Sequence, residues 1–123
     1  GEAEWAWWSD PGNESRSPEG LRVNFANVAR RFAPYQGRIR RFAEGAEVAP
    51  GVRAVAAYGH TPGHTIFHVA DGTDQLMILA DTTHRPEVFA RRPEMHSLFE
   101  FDAPAAEATR TARIPLTSAA FGS

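Results

Sequence analysis

Between Gly59 and His84 the chain reads GHTPGHTIFHVADGTDQLMILADTTH, a stretch holding His60, His64, His68 and His84, four of its five histidines, together with Asp81. Imidazole nitrogens and carboxylate oxygens are the donors of divalent-metal sites and the common agents of proton transfer. The chain has no cysteine, which excludes thiolate ligands, thiol nucleophiles and disulfides. Any metal here takes His, Asp or Glu donors. Neither H-x-H nor H-E-x-x-H occurs, so no single short motif supplies a complete ligand set.

The histidines depend on a hairpin for their placement. Strands TIFHVA and QLMILA flank the turn DGTD. A turn centred between Gly72 and Thr73 sets His68 opposite Met77, Ile66 opposite Leu79, and His64 opposite Asp81. Opposed residues have Cβ atoms about 4.5–5.5 Å apart, so imidazole and carboxylate meet at the open end of the hairpin, where strands run into loops. Thr61, Pro62 and Gly63 stiffen and turn the backbone before His64, and His60 and His84 are near enough in sequence to join the same rim. Spacing alone leaves two readings open, a His–Asp hydrogen bond closing the hairpin and a pair of metal ligands. His68, inside a strand, and His96, beside Met95 and Leu98, read as structural. Thr82 and Thr83 sit where they could hydrogen-bond near the rim or simply form a strand-end turn. The apolar run LMILA predicts a strand covered on both faces.

Around this hairpin the expected organisation is one domain, helical over 1–35, β-rich over 36–84, and irregular with a weak helix over 85–123. Glu2 to Trp8 has a helical pattern, broken by the turn formers from Ser9 to Asn13. Trp5, Trp7 and Trp8 cannot all be buried by one short helix. Ser17 as N-cap and Pro18 at the first position predict an amphipathic helix from Pro18 to about Ala33, with Leu21, Phe25, Val28, Ala29 and Phe32 on its apolar face. Arg30, Arg31, Arg38, Arg40 and Arg41 read as a solvated face. Further strands are expected at 38–42, 46–49 and 52–58, a final helix over Pro104–Arg113, and a frayed tail after it. Phe89, Phe99 and Phe101 are candidates for an apolar pocket wall, with core packing expected for at least two.

At 123 residues the chain can bury roughly two-thirds of its unfolded surface, enough for one modest core. Its formal net charge of -2 gives no electrostatic reason to bind nucleic acid or a membrane surface. No apolar run reaches the roughly 18 residues of a membrane span, and GEAEWAWWSD lacks the parts of a signal peptide, so a cytoplasmic setting is the default expectation. No glycine loop for phosphates appears, which argues against nucleotide or flavin chemistry.

HTPGHT followed by an apolar strand ending in LADTTH resembles the metallo-β-lactamase-fold hydrolase superfamily. EAEWAWWSDP, FAPYQGRI, AEVAPGVRAVAAYGHTPGHT and RPEMHSLFEFDAPAAEATR resemble, in that order, segments of its methyl parathion hydrolase-like branch. The resemblance implies an α/β fold, an αββα sandwich of mixed sheets between helices. It implies that His64 is a metal ligand and that Asp81 bridges two divalent ions, most often zinc, with iron or manganese as alternatives, which activate water for attack on a carbonyl or phosphoryl centre. The implied substrates are small esters, lactones, thioesters, β-lactams and phosphoesters.

The chain departs from the pattern in two places. The H-x-H-x-D-H motif, which the resemblance places before the tryptophan-rich segment, is absent, as is a last histidine ligand after Arg113. The expectation is therefore the C-terminal portion of such a domain, a hydrolase by ancestry that is inactive alone, with His60 and His84 as supplementary donors to His64 and Asp81. The alternative is a non-catalytic metal-binding or interaction module. Open strand edges and the tryptophans point to a homo-oligomer or a complementing N-terminal half as partner.

Overall fold

The computed structural model describes the backbone of residues 1–121 and the side chains of residues 1–114. Three helices lead the chain, α1 (Glu2–Ser9), α2 (Pro11–Arg16) and α3 (Glu19–Phe32). Asp10 separates the first two with extended backbone, and its carboxylate accepts from the Gly12 N–H at 2.7 Å, capping α2 ahead of Pro11. Ser17 does not cap α3 as expected. Its hydroxyl donates back to Asn13 O at 2.8 Å because α2 ends there, and Pro18 takes the cap position without a side-chain bond. The tryptophans are half-buried against phenylalanines, Trp5 on Phe32, Trp8 on Phe25, and both Trp7 and Trp8 on Phe101, all edge-on.

Four strands, β1 (Glu47–Ala49), β2 (Val52–Ala56), β3 (Thr65–Asp71) and β4 (Asp74–Ile78), form one antiparallel sheet in sequential order. The segment 38–42 is not a strand. Its Phe42 carbonyl accepts from Glu2 N–H and its Arg40 side chain bonds Val48 O, so these contacts go to α1 and to a side chain rather than to a ladder. The β3–β4 register is the one the sequence sets, His68 opposite Met77, but the ladder ends at Phe67 opposite Ile78. Ile66 with Leu79 and His64 with Asp81 are not cross-strand pairs, because Ala80 at φ 46° turns the chain into a short 3-10 turn over Ala80–Thr82.

The expectation for β4 also fails. It is an edge strand whose Leu76 and Ile78 are 52% and 46% exposed, so its apolar run does not mark burial on both faces. The segment expected to be irregular contains a single turn, α4 (Pro86–Phe89), opened by proline. The last helix, α5 (Ala103–Phe121), runs beyond Arg113 and takes in most of the expected tail, with buried Ile114 anchoring it past the anticipated end. The end of that tail, Gly122 and Ser123, lies outside the described residues. Among the described residues the buried apolar side chains are Phe25, Ala54, Ala57, Ile66, Phe89, Ala106 and Ile114.

Two glycines clamp the hairpin between helices. A Cβ on Gly59, whose φ is 124°, would lie 2.1 Å from Ala106 N in α5, and one on Gly63 would lie 2.1 Å from Glu4 N in α1. The loop 59–63 is thus held on both sides by helix backbone, an approach only glycine permits. No helix among the described residues is long and apolar enough to cross a membrane.

Candidate functional site

His64 is 8% exposed, at the entry to β3. Its Nδ1 lies 3.0 Å from Ala57 O, and its Nε2 lies 3.2 Å from Asp81 N. A carbonyl only accepts and an amide N–H only donates, so the proton is assigned to Nδ1 and the free electron pair to Nε2. The orientation is reinforced by Ala57 N–H, which donates to His64 O at 2.9 Å. A histidine whose far nitrogen is fixed by a carbonyl is the arrangement found behind metal ligands.

Asp81 emerges at the rim with its carboxylate 69% exposed, and Oδ2 lies 3.6 Å from His60 Nε2. That separation is a close contact and too long for a hydrogen bond. His60 Nδ1 is buried without a partner. Burial pushes the His60 imidazole below its usual range; the Asp81 charge opposes this, and the neighbouring His64 and His84 add to it. The rings of His60 and His64 are 5.6 Å apart and those of His60 and His84 4.9 Å apart. His84 in turn stacks on the exposed Phe99 at 6.0 Å.

The fold thus brings together His60, His64, Asp81 and His84. His68 and His96 lie apart, His68 bonding Gln75 Oε1 at 3.0 Å and His96 bonding Glu107 Oε2 at 2.8 Å. Thr82 and Thr83 are buried with hydroxyls that have no partner. Phe89 is buried beneath the Arg110 guanidinium and Phe101 packs on tryptophans, so of the three phenylalanines only Phe99 lines the rim.

Sequence reasoning missed two supports of this rim. Glu4 Oε2 accepts from Thr61 Oγ1 and Gly63 N–H, both at 2.8 Å, while its Oε1 accepts from Trp8 Nε1 at 2.7 Å. One carboxylate therefore ties α1 to the TPG loop. Arg110 and Glu100, 1% and 2% exposed, form a buried ion pair, and Arg110 also bonds Pro93 O and Met95 O. This pair holds the segment whose Phe101 and Asp102 N–H groups bond His60 O and Gly59 O. Both partnerships span stretches no local pattern reveals.

As a metal site the rim is partial. His64 Nε2 and the Asp81 carboxylate are suitable donors, but among the described residues no group of three or more His, Asp or Glu side chains is arranged to hold an ion. The donors present fit part of a zinc shell and not a complete one, which needs three or four protein ligands.

A search of curated proteins finds none that matches. Among solved structures, the fold resembles that of the hydrolase AbOPH of the beta-lactamase superfamily, with TM-score 0.77 and 24% identity over 90% of this chain and 40% of that one. It also resembles AidC, described as a dizinc quorum-quenching lactonase, with TM-score 0.73 and 20% identity over 89% of this chain and 39% of that one. The chain therefore spans about 40% of the length of these structures. At such identities the likeness carries the fold alone, a partial αββα architecture. With residues 2–118 matched by the family's own sequence model, the chain belongs to the metallo-β-lactamase superfamily.

Proposed function

We propose that this chain contributes His64 and Asp81 to the metal centre of a hydrolase acting on an ester, lactone or phosphoester, and that it does not hydrolyse such substrates by itself. The observation that carries this reading is the state of His64, whose buried ring is fixed through Nδ1 on Ala57 O so that the electron pair of Nε2 is turned to Asp81. Membership of the superfamily and the dizinc description of AidC support a divalent ion, zinc first. Such an ion supplies Lewis-acid stabilisation of developing negative charge. The chain's own residues do the rest: Ala57 fixes the tautomer of His64, Glu4 and the glycines hold the loop, and Arg110 with Glu100 holds the segment against His60.

The test is metal content by mass spectrometry on protein purified without chelator, followed by hydrolysis assays on aryl ester, lactone and phosphotriester panels. Less than stoichiometric metal and no turnover above buffer are expected for the chain alone. Turnover abolished by chelator and by Asp81→Asn would overturn the second half of the proposal. A second reading is a metal-binding or interaction module without catalysis; the lack of a three-donor group among the described residues favours its interaction form over metal binding. Stoichiometric metal without turnover would select the metal-binding form.

A further inference from the structure

We infer that Ala80 is a positioning residue, whose left-handed backbone turns the Asp81 amide onto His64 Nε2 so that, in the metal-free chain, the electron pair a cation would take is held by a backbone N–H. The inference rests on the reading of His64 as a metal donor and adds what guards that donor. Ala80 is the one residue other than glycine with positive φ among the described residues, at 46°. A Cβ makes this region unfavourable, so an alanine there must be held by its surroundings. The hold is visible on both sides: the Asp81 N–H donates to His64 Nε2 at 3.2 Å, and the Thr82 N–H donates to Leu79 O at 3.1 Å, closing the short 3-10 turn over Ala80–Thr82.

The consequence is an order of events. His64 cannot rotate to offer its other nitrogen, because Nδ1–H is engaged with Ala57 O and the ring is buried. For His64 Nε2 to serve as a donor, the Asp81 N–H would have to release it. The peptide between Ala80 and Asp81 would then have to turn, while the Asp81 carboxylate stays exposed at the rim, 3.6 Å from His60 Nε2.

The test uses the full chain labelled with nitrogen-15. Long-range proton–nitrogen correlations report which ring nitrogen of His64 carries the proton, and amide hydrogen exchange reports whether the Asp81 N–H is protected. In the metal-free chain the proton is expected on Nδ1 and the Asp81 amide is expected to be protected. Ala80→Gly, which reaches positive φ freely, keeps both signatures. Ala80→Val, which does not, loses the protection at Asp81. Zinc chloride added to the unsubstituted chain shifts the Nε2 resonance and removes the Asp81 protection together. A proton on Nε2, a freely exchanging Asp81 amide, or zinc at Nε2 with Asp81 protection unchanged overturns the inference; should Ala80→Val fail to fold, these readouts on the unsubstituted chain and Ala80→Gly still decide it. If zinc leaves His64 untouched, the metal reading fails, and the tautomer and exchange results still judge the role of Ala80.

Discussion

At the scale of single residues, the rim combines one strained backbone and one disfavoured charge. Ala80 sits where an L side chain costs roughly 1–2 kcal/mol. Glycine removes that cost but enlarges the unfolded ensemble, which recovers part of it. Ala80→Gly is therefore expected to stabilise the fold by about 0.5–1 kcal/mol in urea denaturation, and a loss of stability would mean that the methyl group packs favourably. His60 gives the second prediction. Its folded pKa lies below the ordinary imidazole value of about 6.5, chiefly through burial, so the folded state favours the neutral ring. Its neutral form is stable in the fold above the unfolded pKa, and stability falls as pH drops below 6.5 towards the folded pKa. Denaturation midpoints at neutral and mildly acidic pH should fall less for His60→Gln than for the unsubstituted chain. An equal fall in both would assign the acid sensitivity to other groups.

At the scale of elements, the loop 59–63 works because α1 and α5 press on glycines. Gly63→Ala must push a methyl group into Glu4 backbone, and Gly59→Ala combines the same intrusion at Ala106 with a positive φ. Each is expected to cost about 3 kcal/mol, at the upper end for overpacking. Near-unchanged melting temperature for either would show that the helix shifts away easily. Glu4→Gln retains shape but weakens three charge-assisted hydrogen bonds around Thr61, Gly63 and Trp8, and a loss of about 1–3 kcal/mol is expected. These elements also mark what the sequence made legible. The hairpin register was readable because the Asp71–Asp74 turn fixes pairing locally, and α3 because its apolar residues recur on one face. His64 and Asp81 were named from the motifs that carry them, and the fold brings the two residues into contact. The segment 38–42 misled because strand-like residues do not reveal whether a partner exists, and Ser17 because two helix ends compete for one hydroxyl. Glu4 reaches Thr61 across 57 positions, and Arg110 and Glu100 pair inside the protein, so neither was visible from spacing.

At the scale of the whole molecule, the sheet has two unequal faces. Cross-strand partners share a face, so Phe67 with Ile78 and Val69 with Leu76 form one apolar strip, while Ile66 on the other face is fully buried. The strip lies partly under Phe42, which meets Phe67 at 6.0 Å, but its β4 end is open. The edge of β4 also offers backbone groups that no fifth strand takes among the described residues. Open edges beside exposed apolar side chains recruit other chains unless charge blocks them, and the strand carries no lysine or arginine, its one charge being Asp74 at the turn end. The chain alone is therefore expected to self-associate at micromolar concentration, with a light-scattering mass above that of a monomer. Leu76→Lys combined with Ile78→Lys should return it to monomer. Because both side chains are already half in water, the double variant should change folding stability by only about 0.5 kcal/mol per site. That separation of association from stability is what makes the test decisive. A clean monomer before substitution would sink the idea, and an oligomer that survives both lysines would move the contact to another surface, with Leu98 and Phe99 beside the histidine rim the next to substitute.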